Sequence, residues 1–129
     1  AIESAACSGH YRIVKYLYGK LEESCADHLF ERAAGSRSLR TVKFLFKKMD
    51  EDNPVMLQIN GMDAMFNAIR NNQMRNIKYI YGLIHFDYYQ LHKFKRLSLK
   101  NSYKHIVDYF DEKINEHRDE IVSNDEYCS

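Results

Sequence analysis

The stretch Gly9-His-Tyr-Arg-Ile-Val-Lys-Tyr-Leu-Tyr18 decides the fold, because its pattern recurs three times along the chain. The other copies cover 37–46, 72–81 and 101–110, at spacings of 28, 35 and 29 residues. In this register the fourth residue is always basic, the sixth is β-branched, and the last two are apolar or aromatic. Apolar residues three and four positions apart lie on one side of a helix. The pattern therefore predicts four short amphipathic helices.

A second helical segment precedes each copy, at 2–6, 30–34, 65–69 and 94–98. Each repeat is then a helix, a tight turn and a second helix, with bounds of about 1–25, 26–50, 62–85 and 87–118. Sustained alternation of apolar and polar residues is missing, so we expect an all-α fold with little or no strand. Pro54 and Gly61 predict an inserted loop over 51–61, and 119–129 is expected to be a flexible tail.

Composition narrows the class of protein. The 129 residues carry 19 Lys and Arg against 18 Asp and Glu, for a formal charge of +1. This excludes a globally basic nucleic-acid binder and an acidic tail protein. Apolar runs long enough to span a bilayer are missing, so no membrane partner is expected. Three cysteines at unrelated spacings predict reduced thiols and an intracellular, cytoplasmic protein. The chain does not begin with Met and is expected to be cut from something longer.

The segment Ala5-Ala-Cys-Ser-Gly-His-Tyr-Arg-Ile-Val-Lys-Tyr-Leu17 resembles the ankyrin-repeat motif. In that family two alanines and two variable residues precede Gly-His, an Ile-Val pair and a Leu. The Thr-Pro-Leu-His tetrapeptide of the family is missing, and only its Leu place is filled. The spacings are also shorter than the family's usual repeat of about 33 residues. Degenerate repeats of this kind resemble those of large DNA viruses or of intracellular microbes.

The resemblance implies a solenoid of about four ankyrin-like repeats that binds a partner protein through its concave face, without catalysis. A viral origin would make that partner a host protein. In the family, the variable places face the partner. Here the partner-binding candidates at these places are Cys7, Ser8, Ser36, Arg70, Asn71, Leu99 and Lys100. The alternative for each of them is a merely solvated side chain.

Two basic features admit a different ligand. The row Arg12, Arg40, Arg75 and Lys104 follows the repeat and is expected to be a solvated ridge, with anion binding as the alternative. The segment 92–105 holds five Lys or Arg and no acid. Its candidate anion patch is Lys93, Lys95, Arg96 and Lys104. Nucleic acid is not the expected partner, because the aromatic residues between them are expected in the core and the acidic segment 108–126 could cover the patch.

Catalytic and metal-binding patterns are weak. Cys25-Ala-Asp-His28 and Glu116-His117 contain ligand types, but neither has the partners that complete a zinc site. We therefore predict no enzyme activity, no cofactor, no metal and no small-molecule substrate. The remaining alternative is a structural component of a larger complex. That role predicts exposed apolar ends at Ile2, Ala5 or Phe110.

Overall fold

A computed structural model describes residues 2–20, 26–52 and 54–128, with the side chains of these residues apart from 26, 27, 52, 56, 57 and 119–128. Across those ranges the regular structure is entirely helical, which confirms the all-α prediction. The helices in chain order are α1 (Ile2–Ser8), α2 (Tyr11–Tyr18), α3 (Ala26–Ala34), α4 (Leu39–Asp52), α5 (Met56–Arg70), α6 (Met74–Leu83), α7 (Tyr88–Lys100) and α8 (Lys104–Cys128).

The chain divides into two compact units, Ala1–His85 and Phe86–Ser129. The first unit contains the helix pairs α1–α2, α3–α4 and α5–α6, and the second contains α7 and α8. Where the sequence predicts one array over 1–118, the structure therefore has three pairs in one unit and the fourth pair in another.

In the first unit, helices at the same place in successive pairs pack on each other. α3 contacts both α1 and α5, and α4 contacts both α2 and α6. The alanine pairs of α1 and α3 are buried, at 6% exposure or less. Side chains this small let neighbouring helices approach closely. The β-branched residues of the repeated pattern, Val14, Val42 and Ile77, are fully buried, so the periodic positions form the core as predicted.

The turns after α1 and α5 share one backbone geometry. Gly9 and Asn72 adopt left-handed φ values of 71° and 57°. In each turn the N–H of this residue donates to the carbonyl three residues back, and the next N–H donates to the carbonyl five residues back. This pair of bonds is the Schellman motif, which satisfies carbonyls at a helix C-terminus. Gly9 suits the place because it pays no side-chain penalty at positive φ.

The turn between α3 and α4 adds side-chain bonds to its backbone bonds, which include that from the Ser36 N–H to the Ala33 carbonyl at 2.9 Å. The Ser36 hydroxyl donates to the Ala33 carbonyl at 2.6 Å, and the Thr41 N–H donates to the Ser38 hydroxyl at 3.1 Å. Asn76 at the start of α6 uses both amide hydrogens on this turn, donating to the Ala34 carbonyl at 2.9 Å and the Ser36 carbonyl at 2.7 Å. Hydrogen bonds therefore tie the third helix pair to the turn of the second.

The second unit is a helical hairpin closed by aromatic packing. Asp87 caps α7: its side chain accepts the Gln90 N–H at 2.8 Å, and the Gln90 side chain accepts the Asp87 N–H at 2.9 Å. This reciprocal pair is a capping box, which satisfies two N–H groups at the start of α7. Phe94 is fully buried between Phe86 and Phe110, with ring centroids 5.0 Å and 5.4 Å away.

The fourth copy of the repeat begins one residue later than the sequence pattern predicts. Ser102 has a φ of 61° and makes the same pair of turn bonds as Gly9 and Asn72. The match to the earlier basic residues is therefore His105, one position after Lys104. The predicted basic row consequently ends with the third pair. The turn at Ser102 sets the register of the fourth copy. The sequence does not reveal the one-residue shift, because the residues on either side of Ile106 resemble those of the earlier copies.

The sequence prediction of a loop over 51–61 is wrong for most of that segment. Most of the predicted loop over 51–61 is helical, since α4 extends to Asp52 and α5 begins at Met56. Gly61 lies inside α5, where a Cβ would be 2.8 Å from the Ile84 side chain, so this glycine serves a close approach and not a loop. The predicted tail over 119–129 is helical as far as Cys128.

Candidate functional site

The first candidate surface is the exposed side of α1, α3 and α5, which we call the first-helix face. Cys7 and Ser8 are exposed at the end of α1, and Arg70 and Asn71 are exposed at the end of α5. In the second unit, Leu99 and Lys100 are exposed at the end of α7. These six candidates are accessible, and their role in binding stays a prediction.

Ser36 does not belong to the accessible set. Its exposure is 3%, and its hydroxyl both donates to the Ala33 carbonyl and accepts the Ser38 N–H. The middle pair uses this variable position for the turn against which Gly9 and Asn76 pack. The prediction that Ser36 contacts a partner is therefore wrong, because the side chain is spent on internal hydrogen bonds.

A polar cluster joins α1 to α3 on the first-helix face. Glu3 lies 3.8 Å from His28 and 3.7 Å from Arg32, measured between carboxylate oxygens and ring or guanidinium nitrogens. Arg32 also donates to His28 Nε2 at 3.0 Å and to Cys7 Sγ at 3.9 Å. The bond to Cys7 and, after it, the charge of Glu3 raise the pKa of Arg32 above its usual value. The charges of this cluster thus largely neutralise each other.

The part of the face on α5 is also fixed by contacts. The Asn67 amide donates to the Glu31 carbonyl of α3 at 2.8 Å, and the Asn71 amide donates to the Asn67 carbonyl at 2.8 Å. The Arg70 guanidinium lies 5.9 Å from the centroid of the Phe66 ring, within the range of a cation–π contact. The face is therefore a pre-ordered surface that carries an arginine on an aromatic residue at one end.

The second candidate surface lies between α2 and α4, and we call it the second-helix groove. It encloses about 430 Å³ and is lined by Tyr11, Lys15, Arg40, Lys43, Phe44, Lys47 and Lys48. Five of these seven residues are cationic. Sequence reasoning found the row of basic residues but missed the groove. The sequence signal for the groove is a pair of aromatic residues, Tyr11 in α2 and Phe44 in the neighbouring α4.

The predicted anion patch of the second unit is weakened by an ion pair. Lys95 Nζ lies 2.6 Å from the Asp111 carboxylate of α8. Lys93, Arg96 and Lys104 are exposed. An acid from the segment 108–126 therefore neutralises one of the four cations, as the sequence suggested. The patch retains three accessible cations without an aromatic floor among its own residues.

The remaining predictions concern metals, membranes and the ends of the chain. In the described ranges, no group of three or more His, Cys, Asp or Glu is placed to hold a metal ion. Cys25 lies outside the described residues, and the Cys7 thiol is free. None of the described helices combines the length and the apolarity needed to cross a membrane. Of the three residues expected to be open if the chain is an assembly component, Ala5 and Phe110 are buried and Ile2 is half-buried.

Comparison with protein-family models, with curated proteins and with solved structures found no match for this chain.

Proposed function

We propose that the chain is an ankyrin-like repeat module that binds a partner protein through the first-helix face. The proposal is supported by the packing within Ala1–His85, where first helices contact first helices and second helices contact second helices. Repeat proteins of this kind bury a continuous core only by stacking, and the stack offers one extended surface for recognition. The fourth pair is proposed to belong to the same kind of repeat.

The observation that carries the proposal is Arg70 above the Phe66 ring on a face whose other polar groups are fixed. Binding energy at interfaces concentrates in a few arginine and aromatic residues that sit on ordered surroundings. The Asn67 bond to Glu31 and the Glu3–Arg32 pair supply that order, since they hold α1, α3 and α5 in register. A surface held in this way loses little entropy when a partner binds.

The test is capture of binding proteins from a lysate by the wild-type chain and by two variants of equal charge. Arg70→Glu alters the first-helix face, and Arg75→Glu makes the same change at an exposed position on α6. We expect a partner that the wild type and Arg75→Glu retain and that Arg70→Glu loses by about tenfold or more in affinity. Circular dichroism of all three proteins confirms that the helices are intact.

Loss with Arg75→Glu and retention with Arg70→Glu would contradict the proposal, and so would the absence of any specific partner. A partner that both variants keep would favour the assembly role instead. For that role the candidate contacts are Ile13 and Tyr16, which are 50% and 65% exposed on α2.

A further inference from the structure

We propose that the second-helix groove is a separate docking site for an acidic peptide segment of another protein. The groove lies on α2 and α4, whereas the first-helix face lies on α1, α3 and α5. The two sites are therefore independent, and either one can fail its test without affecting the other.

The cations of the groove are held in place by aromatic rings. The Arg40 guanidinium lies 4.1 Å from the centroid of the Tyr11 ring, and Lys48 Nζ lies 5.8 Å from the Phe44 ring. The two rings meet edge to face, with centroids 5.7 Å apart. Cation–π contacts of this length fix side chains that would otherwise sample many rotamers. Because part of the ordering cost is met before a ligand arrives, the groove is prepared for an anion.

Among the described residues, most of the positive charge of the groove has no acidic partner. α2 contains no acidic residue, and the acids of α4 are confined to its end, at 50–52. Within the part of the chain that the structure describes, no carboxylate forms an ion pair with Lys15, Arg40, Lys43 or Lys47. Lys48 pairs with Glu51 at 3.8 Å, which shows a carboxylate meeting a groove cation at the end of the helix.

This arrangement contrasts with the first-helix face, where Glu3 and Arg32 offset each other. Like charges gathered on adjacent helices repel one another and cost folding free energy. An acidic ligand relieves that repulsion, and charge complementarity accelerates its encounter with the groove.

The ring contacts favour a peptide over a nucleic acid. Single-stranded nucleic acids gain affinity by stacking bases on open aromatic faces. Here Arg40 lies over Tyr11, Lys48 lies over Phe44, and Lys43 Nζ lies 5.5 Å from the Tyr79 ring next to the groove. The faces of these rings are therefore occupied by cations and are not open for stacking with bases. Glutamate and aspartate carboxylates match an arginine fork and a set of lysines without needing an open ring.

The experiment measures binding of a fluorescein-labelled decaglutamate peptide by fluorescence anisotropy at about 150 mM salt. The test variant is Lys43→Glu/Lys47→Glu. Its matched control is Arg37→Glu/Arg118→Glu, which changes the net charge equally and also alters two exposed residues, both outside the groove, the first-helix face and the anion patch. We expect the groove variant to raise the Kd of the peptide about tenfold or more and the control to change it less than about twofold.

A third variant, Tyr11→Leu, keeps the net charge and removes the ring under Arg40. We expect it to raise the Kd about threefold, because Arg40 loses its support while every cation remains. An unchanged Kd for this variant would refute the prepared groove. Equal weakening by both charge reversals, or no binding of the peptide by the wild type, would refute the site.

An oligothymidylate of similar charge serves as the competing probe. Tighter binding of the oligonucleotide than of the decaglutamate peptide, lost in Lys43→Glu/Lys47→Glu, would overturn the assignment to a peptide. Circular dichroism accompanies every variant, and a variant that loses its helical signal is replaced by Lys43→Gln/Lys47→Gln, for which we expect at least a threefold increase of Kd.

Discussion

The turn after α3 and the turn after α5 hold the same place in successive helix pairs, and they differ in how far side chains contribute to them. The turn after α5 closes with backbone bonds around Asn72, and its neighbour Asn71 stays exposed. The turn after α3 has backbone bonds too, but hydroxyl and amide side chains from Ser36 and Asn76 add to them, and Ser36 is buried within it. The same repeat position therefore faces outward in one pair and serves as internal structure in the next.

The difference shows that position in a repeat does not determine the role of a residue. The middle pair has neighbours on both sides in the first unit, so its turn is covered by Gly9 from one side and bonded by Asn76 from the other. The variable places of the two outer pairs remain exposed. Three sets of substitutions test this contrast, and all are measured as free energies of unfolding in urea, followed by circular dichroism.

Asn76→Ala is expected to have the largest effect. The substitution removes both donors from the Ala34 and Ser36 carbonyls in a site where Asn76 is 1% exposed. Buried carbonyls left without partners cost about 1–3 kcal/mol each before relaxation, so we expect a loss of about 3 kcal/mol. Asn71→Ala is the control, because its exposed amide makes local bonds that water can replace. Equal losses for the two variants would show that the side-chain bonds of the turn after α3 have no special weight.

Gly9→Ala is expected to have an intermediate effect, a loss of about 2 kcal/mol. A left-handed residue with a Cβ costs about 1–2 kcal/mol. The new Cβ would in addition lie 2.8 Å from Ser38 Cβ and 3.2 Å from Ser36 Oγ, so the turn after α3 would have to move. In a Ser38→Gly background the Cβ that the new alanine would meet is absent. We therefore expect Gly9→Ala to lower the free energy of unfolding less in that background than in the wild type. The same loss in both backgrounds would contradict the contact.

Substitutions of Asn72 are expected to have the smallest effects. Its φ of 57° matches that of Gly9, and its side chain is exposed. Asn72→Ala should lose about 1 kcal/mol from backbone strain, and Asn72→Gly should change the free energy of unfolding by less than about 0.5 kcal/mol. A loss for Asn72→Ala as large as that for Gly9→Ala would mean that backbone strain explains both turns and that the packing on Ser38 adds nothing.

The sequence predicts the helices and most of the core, because both depend on short-range periodicity. Val14, Val42 and Ile77 are buried where the repeated pattern places them, and the alanine pairs of α1 and α3 are buried as well. Gly61 is expected to lie in a loop because glycine is common in turns. Its role in the structure depends instead on Ile84, more than twenty residues away.

The candidate surfaces are predictable only in part. Exposure at Cys7 and Arg70 follows from their place in the repeat, but the burial of Ser36 depends on Asn76, which lies forty residues further along the chain. The row of basic residues is visible in the sequence. Its aromatic support is not, because Arg40 meets the ring of Tyr11 only after α2 and α4 have packed together.

The first pair is held less firmly than the two that follow, which matters for how the second-helix groove behaves. Within α2, all of it in the described part of the chain, Val14 is the one fully covered side chain. Few covered apolar contacts mean a low free energy of local opening, so the amide hydrogens of α2 should exchange with solvent earlier than those of α4. The α2 wall of the groove therefore has fewer buried contacts than the α4 wall, although its ring contacts hold the cations in place. A ligand that contacts both α2 and α4 would stabilise α2. Its binding energy would appear as slower exchange of the α2 amide hydrogens.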